Sequence, residues 1–363
     1  MATQVETSAL AAPHQPSSTA GARVQWIDAT RGLAIILVVF GHAAGGLIDA
    51  SAPGSLPALR YVFLAIYTFH MPIFFFLAGL FVEQRLERGI APFFTRLLPT
   101  IVYPYFLWSI LQYSLIFALG SLVNHPVENY WRTLVAIPWR PVSQFWFLHA
   151  LFLIHCLGIL AWRLGGVRAV LGAALLVKIV ALCVPSTPAL SLAAGNAPFY
   201  ALGVLLGWQR VSALLTSATL EFRGLVTLCA VGALVLLSSQ ADAIQPYIAV
   251  EAASSAGIAK VAWISTMLPA TLLAGTALLL MADSLARLAG PVPTLVERLG
   301  TVTMPIFLLH VIFVAGARIL LTKLFGLSGI AILPLLVIVG IIGPVLAREA
   351  AKRLGLLRIL ALQ

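Results

Sequence analysis

An arginine and a histidine in the first apolar stretch are the residues best suited to chemistry. The segment WIDATRGLAIILVVFGHAAGGL, residues 26–47, contains Asp28, Arg31 and His42, and it is long enough to cross a bilayer as a helix. Eleven residues from Arg31 to His42 make about three helical turns, so both side chains share one face, roughly 16 Å apart. Arginine suits phosphate recognition, and histidine suits proton transfer near neutral pH.

Two interpretations of this pair compete. Ionisable groups inside a membrane span are costly, which favours a functional site. The alternative is an arginine that snorkels to the membrane surface and a histidine that is hydrogen-bonded to a neighbouring carbonyl. Asp28 lies one turn before Arg31 and about 21 Å from His42, so we expect it to orient the arginine rather than to take part in chemistry.

The elements that position these residues are predicted to be membrane-spanning helices. The chain has 363 residues, of which 61% are hydrophobic and 9% charged, and its mean hydropathy is +1.02. This composition indicates an all-α, polytopic membrane protein. Windows of about 20 residues predict ten spans, near 29–49, 60–81, 97–121, 145–162, 169–185, 197–209, 224–240, 261–281, 301–321 and 327–347.

The basic residues predict the orientation of the chain. With the N-terminus in the cytoplasm, fourteen of the 22 Lys and Arg residues fall in cytoplasmic segments, which favours both termini inside. The net charge of +10 is explained by this asymmetry, and no nucleic-acid site is predicted. Residues 1–22 are predicted to be a disordered tail without the features of a signal peptide, and residues 348–363 a basic cytoplasmic tail after a transmembrane domain over 23–347.

The predicted depths bring three histidines together. His42, His70 and His149 come out at similar heights in the outer half of the membrane, so we expect them to converge on one polar pocket. His310 is expected nearer the middle and His155 lower still. His70 lies beside Pro72, which frees a backbone carbonyl, so His70 is either a site residue or a packing residue that satisfies that carbonyl.

Further candidates lie in the predicted loops. Arg85, Arg88 and Arg96 form a cytoplasmic basic patch able to hold an anion, with Arg96 favoured, although the positive-inside rule also explains each of them. Trp139 and Trp146, at the end of the longest outer loop, are candidates for sugar platforms or for interfacial anchors. The three cysteines show neither disulfide nor metal-ligand spacing, and no metal site is predicted.

Several of these motifs resemble the acyltransferase-3 family of membrane acyltransferases. They are IDATRG around Arg31, His42 after ten intervening residues, FHMPIFFFLAG, WFL at 146–148 and FLLH ending at His310. The FHMP form is similar to the fucose 4-O-acetylase branch of sugar acetyltransferases. One departure is Phe93, where many members of the family have an arginine three residues before the position of Arg96.

The resemblance implies an enzyme of the bacterial inner membrane. It implies transfer of an acyl group, usually acetyl, from cytoplasmic acyl-CoA to a hydroxyl of a glycan on the outer side, with Arg31 and His42 as the essential pair. On this hypothesis Arg31 and Arg96 hold the CoA phosphates and the thioester reaches His42 through a continuous channel. His42 acts as general base or carries the acyl group covalently, with His70 or His149 assisting.

Two other classes of protein remain open from the sequence alone. A proton-coupled transporter would use His42, His70 and Lys178 as a relay, and a non-catalytic scaffold would serve the assembly of envelope polysaccharide. Transporters often contain internal repeats, and none is evident between the halves of this chain.

Overall fold

The computed structural model describes residues 24–52, 54–127, 129–183, 188–239 and 258–363, without the side chains of 188 and 258–266. The predicted tail over residues 1–22 lies outside this part. The described residues form an all-helical bundle. Its α-helices are α1 Gln25–Ala50, α2 Pro57–Gly79, α3 Val82–Glu87, α4 Ile90–Leu97, α5 Tyr103–Leu119, α6 Tyr130–Ala136, α7 Trp146–Cys183, α8 Pro188–Ser217, α9 Leu220–Ser238, α10 Ile258–Ala286, α11 Pro291–Thr301, α12 Thr303–Phe325 and α13 Leu333–Arg353.

Nine helical runs in the described residues are long and apolar enough to cross a membrane. The sequence predicts ten spans, and the difference arises in α7. This helix covers most of the fourth and of the fifth predicted span, and its backbone is non-helical at Gly165 (φ −174°, ψ 30°) and Gly166 (φ 60°, ψ −146°). The positive φ of Gly166 is costly for a residue with a Cβ, so the glycine pair is where the run divides into two helices.

The sixth predicted span is longer than its apolar window. The sequence assigns it to 197–209, whereas α8 extends over Pro188–Ser217 and contains Pro198. Polar and small residues in its first half, such as Ser191 and Asn196, lower its hydropathy, yet both side chains are buried within the bundle. The length of an apolar run therefore underestimates the length of a helix that packs against protein rather than lipid.

α1 lies at the centre of the bundle, where it contacts α2, α10, α11, α12 and α13. The first half of α1 packs closely against α11 through two glycines. A Cβ on Gly32 would lie 2.0 Å from the carbonyl oxygen of Val296, and a Cβ on Gly300 would lie 1.9 Å from that of Asp28. Glycine is therefore required at both contacts, which set the position of the helix turn that carries Asp28 and Arg31.

A second glycine contact joins α2 to α8. A Cβ on Gly79 would lie 2.2 Å from the carbonyl oxygen of Tyr200, and a Cβ on Gly203 would lie 2.2 Å from that of Phe76. Small residues allow such close approach between helices in membranes, where dispersion contacts replace the hydrophobic effect. Since α2 also packs on α1, this contact holds the His70 helix beside the His42 helix.

The C-terminal residues are attached to the bundle. After α13 the chain turns, and the carbonyl oxygens of Ile359 and Leu360 accept hydrogen bonds from Tyr103 Oη (2.6 Å) and Trp108 Nε1 (2.9 Å) of α5. Leu362 is buried. These contacts tie the segment predicted as a cytoplasmic tail to the first half of α5.

Candidate functional site

His42 lines a large cavity between α1, α2, α5, α6 and α12. This space, called here the His42 cavity, has a volume of about 940 Å³. Residues from the predicted outer loop, including Asn124, His125 and Arg140, form part of its wall. Gly45 and Gly46 follow His42 on α1 and also line the cavity, so the last two turns of α1 face open space.

The ring of His42 contacts the ring of His310 on α12. The two ring centroids lie 4.8 Å apart with an edge-to-face angle of 61°. His310 Nδ1 lies 3.0 Å and 2.8 Å from the carbonyl oxygens of Ile306 and Phe307. Because a carbonyl only accepts hydrogen bonds, Nδ1 carries the proton and Nε2 presents a lone pair.

The contact with His310 corrects the predicted depths. His310 is expected nearer the middle of the membrane than His42, but the ring contact puts the two side chains at one level. His310 Nε2 is fully buried and has no hydrogen-bond partner among the described residues. The FLLH motif carries this residue, and helix positions alone do not reveal its pairing because they give depth but not rotation.

His70 lies behind the wall of the His42 cavity. Its side chain is buried, its Nδ1 lies 2.8 Å from the carbonyl oxygen of Ile66, and its ring packs 4.7 Å from Tyr67. Tyr67 itself lines the cavity. The bond to Ile66 requires a proton on Nδ1, so His70 satisfies a carbonyl on its own helix and reaches the cavity through Tyr67.

His149 does not join the other two histidines. Its Nε2 lies 3.0 Å from the carbonyl oxygen of Pro138, and its ring lies 5.5 Å from that of Tyr105. It is not among the described residues that line the His42 cavity. The expected convergence of His42, His70 and His149 is therefore wrong for His149, because α7 turns this residue toward α5 and the loop after α6.

The two predicted sugar-platform tryptophans are not among the described residues that line the cavity. Trp146 stacks on Phe75, with centroids 6.3 Å apart and an interplanar angle of 28°, and it packs against the hydrophobic core. Trp139 is 55% exposed. Neither is among the described residues of the cavity wall, so their contacts favour packing and interfacial roles.

Arg31 lines a second, smaller cavity at the other end of α1. The Arg31 cavity has a volume of about 330 Å³, and its polar lining consists of Asp28, Arg31, Gln84, Arg85 and Arg88. Asp28 Oδ1 lies 3.8 Å from Arg31 Nη1, and the aspartate side chain is only 10% exposed. The predicted contact between Asp28 and Arg31 is present.

Arg96 is at the edge of this basic group. It is exposed on α4 and is not among the described residues that line the Arg31 cavity. The charges of Arg31, Arg88 and Arg96 all act on Arg85. Arg85 and Arg88 share the cavity with Arg31, whereas Arg96 acts on this group through its charge on Arg85.

The Arg31 and His42 cavities are separate in this structure. They share no lining residue within the described part of the chain. Ile35 and Val38 lie on the helix face between Arg31 and His42, and both are buried, with exposures of 0% and 1%. The prediction of a continuous channel is wrong for this conformation, since apolar packing fills the space between its two ends.

Comparison with known proteins connects this arrangement to a family. The profile of the acyltransferase domain family matches residues 24–349, nearly the whole described chain. The sequence is also 26% identical over 193 residues to nodulation protein NolL of Mesorhizobium japonicum, an alignment that covers 50% of this chain and 48% of the relative. The chain thus spans about half the length of this curated relative. No solved structure matches significantly.

Proposed function

Because the chain belongs to the acyltransferase-3 family, we propose that it transfers an acetyl group from acetyl-CoA to a hydroxyl of a glycan across the membrane. One observation carries the proposal: a single helix, α1, presents a guanidinium to one cavity and an imidazole to another, about 16 Å away. The sugar-acetylase resemblance of FHMP, at 69–72, supports acetyl and glycan.

The donor binds at the Arg31 cavity, on the cytoplasmic side. Arg31, Arg85 and Arg88 supply three guanidinium groups around a space of about 330 Å³, against the single carboxylate of Asp28. Guanidinium groups bind phosphate oxygens with paired hydrogen bonds. The CoA phosphates therefore rest at this cavity, and the exposed Arg96, whose charge acts on Arg85, adds to the attraction.

The acceptor hydroxyl binds beside His42 in the larger cavity. His42 removes the hydroxyl proton as the oxygen attacks the thioester carbonyl, and the carbon–sulfur bond breaks. The proton then passes from His42 to the leaving sulfur, so the products are the glycan ester and CoA thiol. General-base assistance of this kind contributes typically about 10²–10⁴-fold in rate.

Neighbouring histidines position the base. His310 contacts the His42 ring, and its buried Nε2 has no hydrogen-bond partner among the described residues, so it is available to accept a hydrogen bond from the His42 imidazole. His70 supports Tyr67 in the cavity wall. His149 has no part in the proposed reaction, because its contacts are with Pro138 and Tyr105.

The donor requires a path that is closed in this conformation. Ile35 and Val38 fill the helix face between the two cavities. We propose that binding of the CoA phosphates allows the pantetheine arm to part these side chains from their neighbours, which brings the thioester to His42. When no donor is bound, the closed path separates the two sides of the membrane from each other.

A transporter is the second candidate, and the position of Lys178 disfavours it. A relay from His42 and His70 to Lys178 requires the lysine near the histidines. Lys178 lies instead on the α7–α8 contact, where its Nζ is 3.8 Å from the Cβ position of Gly195. It is not among the described residues that line the His42 cavity.

The test is acetyl transfer by the purified protein. Incubation in nanodiscs with acetyl-CoA labelled in the acetyl group and a mixture of bacterial surface glycans is expected to give labelled glycan and stoichiometric CoA thiol. Mass spectrometry locates the label, and a thiol reagent measures CoA. A transporter or scaffold would leave acetyl-CoA intact, and that result would contradict the proposal.

A further inference from the structure

The His42 cavity has an excess of positive charge that the proposed chemistry does not require. Four arginines line it, from four separate parts of the chain: Arg60 of α2, Arg132 of α6, Arg140 after α6 and Arg318 of α12. Asp49 is the one carboxylate among the described lining residues. Its Oδ2 lies 3.4 Å from His125 Nε2. Without Arg60, the other three arginines and Asp49 still give these described lining residues a formal charge of +2, with neutral histidines.

Topology does not explain these arginines. The positive-inside rule depletes Lys and Arg from outer segments. Of the predicted outer-loop cations whose side chains are described, Arg60, Arg132 and Arg140 line this one cavity, and Lys323 does not. Like charges around a partly apolar space repel one another, so their grouping indicates a negatively charged occupant.

The geometry also indicates where the negative charge lies. Arg318 is eight residues beyond His310, about 12 Å along α12, and His310 contacts His42. Asp49, whose charge acts on Arg318, lies seven residues beyond His42, about 10 Å along α1. Arg318 thus lines the cavity further from the base than the hydroxyl that is acetylated.

We infer that the acceptor is an anionic glycan. Its carboxylate or phosphate group lies on a part of the glycan beyond the sugar that is acetylated. This inference rests on the proposed function for the identity of the cavity as the acceptor site. Guanidinium groups hold both anions through paired, charge-assisted hydrogen bonds. The apolar residues between them, such as Phe63 and Leu119, leave room for sugar faces.

Equilibrium binding tests the inference without turnover. The protein in phosphatidylcholine nanodiscs, which carry no net charge, is titrated with three fluorescent probes: maltotetraose, a phosphate monoester of maltotetraose, and tetragalacturonate. We expect at least one anionic probe to bind about tenfold or more tightly than maltotetraose, with an advantage that shrinks as salt rises. Preference for the phosphate ester identifies a phosphate-bearing acceptor, and preference for tetragalacturonate identifies a uronic acid.

The variant for this test is Arg132→Gln/Arg140→Gln. Both side chains are exposed, so the fold is expected to persist, and most of the preference for anions is expected to disappear. Lys323→Gln is the matched control, since it removes an exposed cation that does not line the cavity. Equal binding of maltotetraose and both anionic probes, or undiminished anion binding by the double variant, overturns the inference.

The two proposals fail in different ways. Acetylation of a neutral oligosaccharide at a rate unaffected by the double substitution would leave acetyl transfer standing and refute the anionic acceptor. Selective anion binding that depends on Arg132 and Arg140, without any use of acetyl-CoA, would support the anion site and refute the acetyltransferase.

Discussion

The two ends of α1 differ in volume, charge and depth. The Arg31 cavity is about 330 Å³ and is dominated by guanidinium groups near the start of the helix. The His42 cavity is almost three times larger, at about 940 Å³, and its lining combines apolar residues, four arginines and His42, whose ring contacts His310. A small basic cavity suits the fixed phosphates of one donor, whereas a large mixed cavity suits a variable glycan. In the proposed function, recognition of the donor and recognition of the acceptor are therefore physically separate.

Loss of the His42 base is expected to have the largest effect. His42→Ala should lower acetyl transfer by about 10²–10⁴-fold, because His42 is the general base of the proposed reaction. Binding of CoA at the Arg31 cavity should be unchanged. Single-turnover assays and CoA titration measure the two quantities. His125→Gln, which alters an exposed histidine of the same cavity, is the control and should retain activity. Full activity of the His42→Ala protein would show that the acetyl transfer does not depend on His42.

A change at the other end of the helix should affect the donor instead. Arg31→Ala is expected to raise KM for acetyl-CoA roughly ten- to a hundredfold, as one charge-assisted hydrogen bond contributes about 1.5–3 kcal/mol. The KM for the acceptor should stay constant. Steady-state kinetics with each substrate varied in turn check this, and Arg163→Gln, an exposed cation elsewhere, is the control. An equal rise in both KM values would show that the two cavities do not act separately.

The histidine pair allows a finer test of the larger cavity. His310→Phe keeps an aromatic ring against His42 but removes both nitrogens, and we expect kcat to fall about tenfold, the worth of one hydrogen bond. KM values for donor and acceptor should change little. His310→Gln, which retains polar atoms, should recover part of the rate. A loss of folded protein in place of a lower kcat would indicate that His310 serves packing alone.

The connection between the cavities is testable at Val38. Val38→Phe should lower the transfer rate several-fold, because a larger side chain between the cavities hinders passage of the pantetheine arm. It should also lower the free energy of unfolding by about 1–3 kcal/mol through overpacking. Val38→Ile adds one methylene and should remain close to the original rate. Thermal unfolding and rates at saturating acceptor separate the two effects. An unchanged rate in a folded Val38→Phe protein would mean that the donor takes another path.

The smallest effect is expected at His149. His149→Ala removes the hydrogen bond to the carbonyl of Pro138, which should cost about 1 kcal/mol of stability and alter the rate less than twofold. The exposed Trp139 provides a parallel substitution, Trp139→Ala, with the same expectation. Unfolding curves and initial rates measure both. A hundredfold loss of activity in the His149→Ala protein would indicate that His149 takes part in catalysis.

Much of the architecture follows from the sequence, because a bilayer restricts a chain to few solutions. Continuous apolar runs of about 20 residues must form helices that satisfy their own backbone hydrogen bonds, so the all-helical bundle is predictable from hydropathy. The alignment of Arg31 with His42 is equally predictable, since one uninterrupted helix with 3.6 residues per turn fixes their relative rotation. The family follows from the same motifs and is confirmed by the match over residues 24–349.

Contacts between helices were decided only by the tertiary structure. Depth along each span does not specify how a helix is rotated, so the sequence groups His149 with His42, whereas packing pairs His42 with His310. The packing of Ile35 and Val38 between the cavities depends in the same way on neighbouring helices. Close approach at Gly32 and Gly300 orients α1 against α11, and such contacts between distant parts of the chain determine which side chains share a cavity.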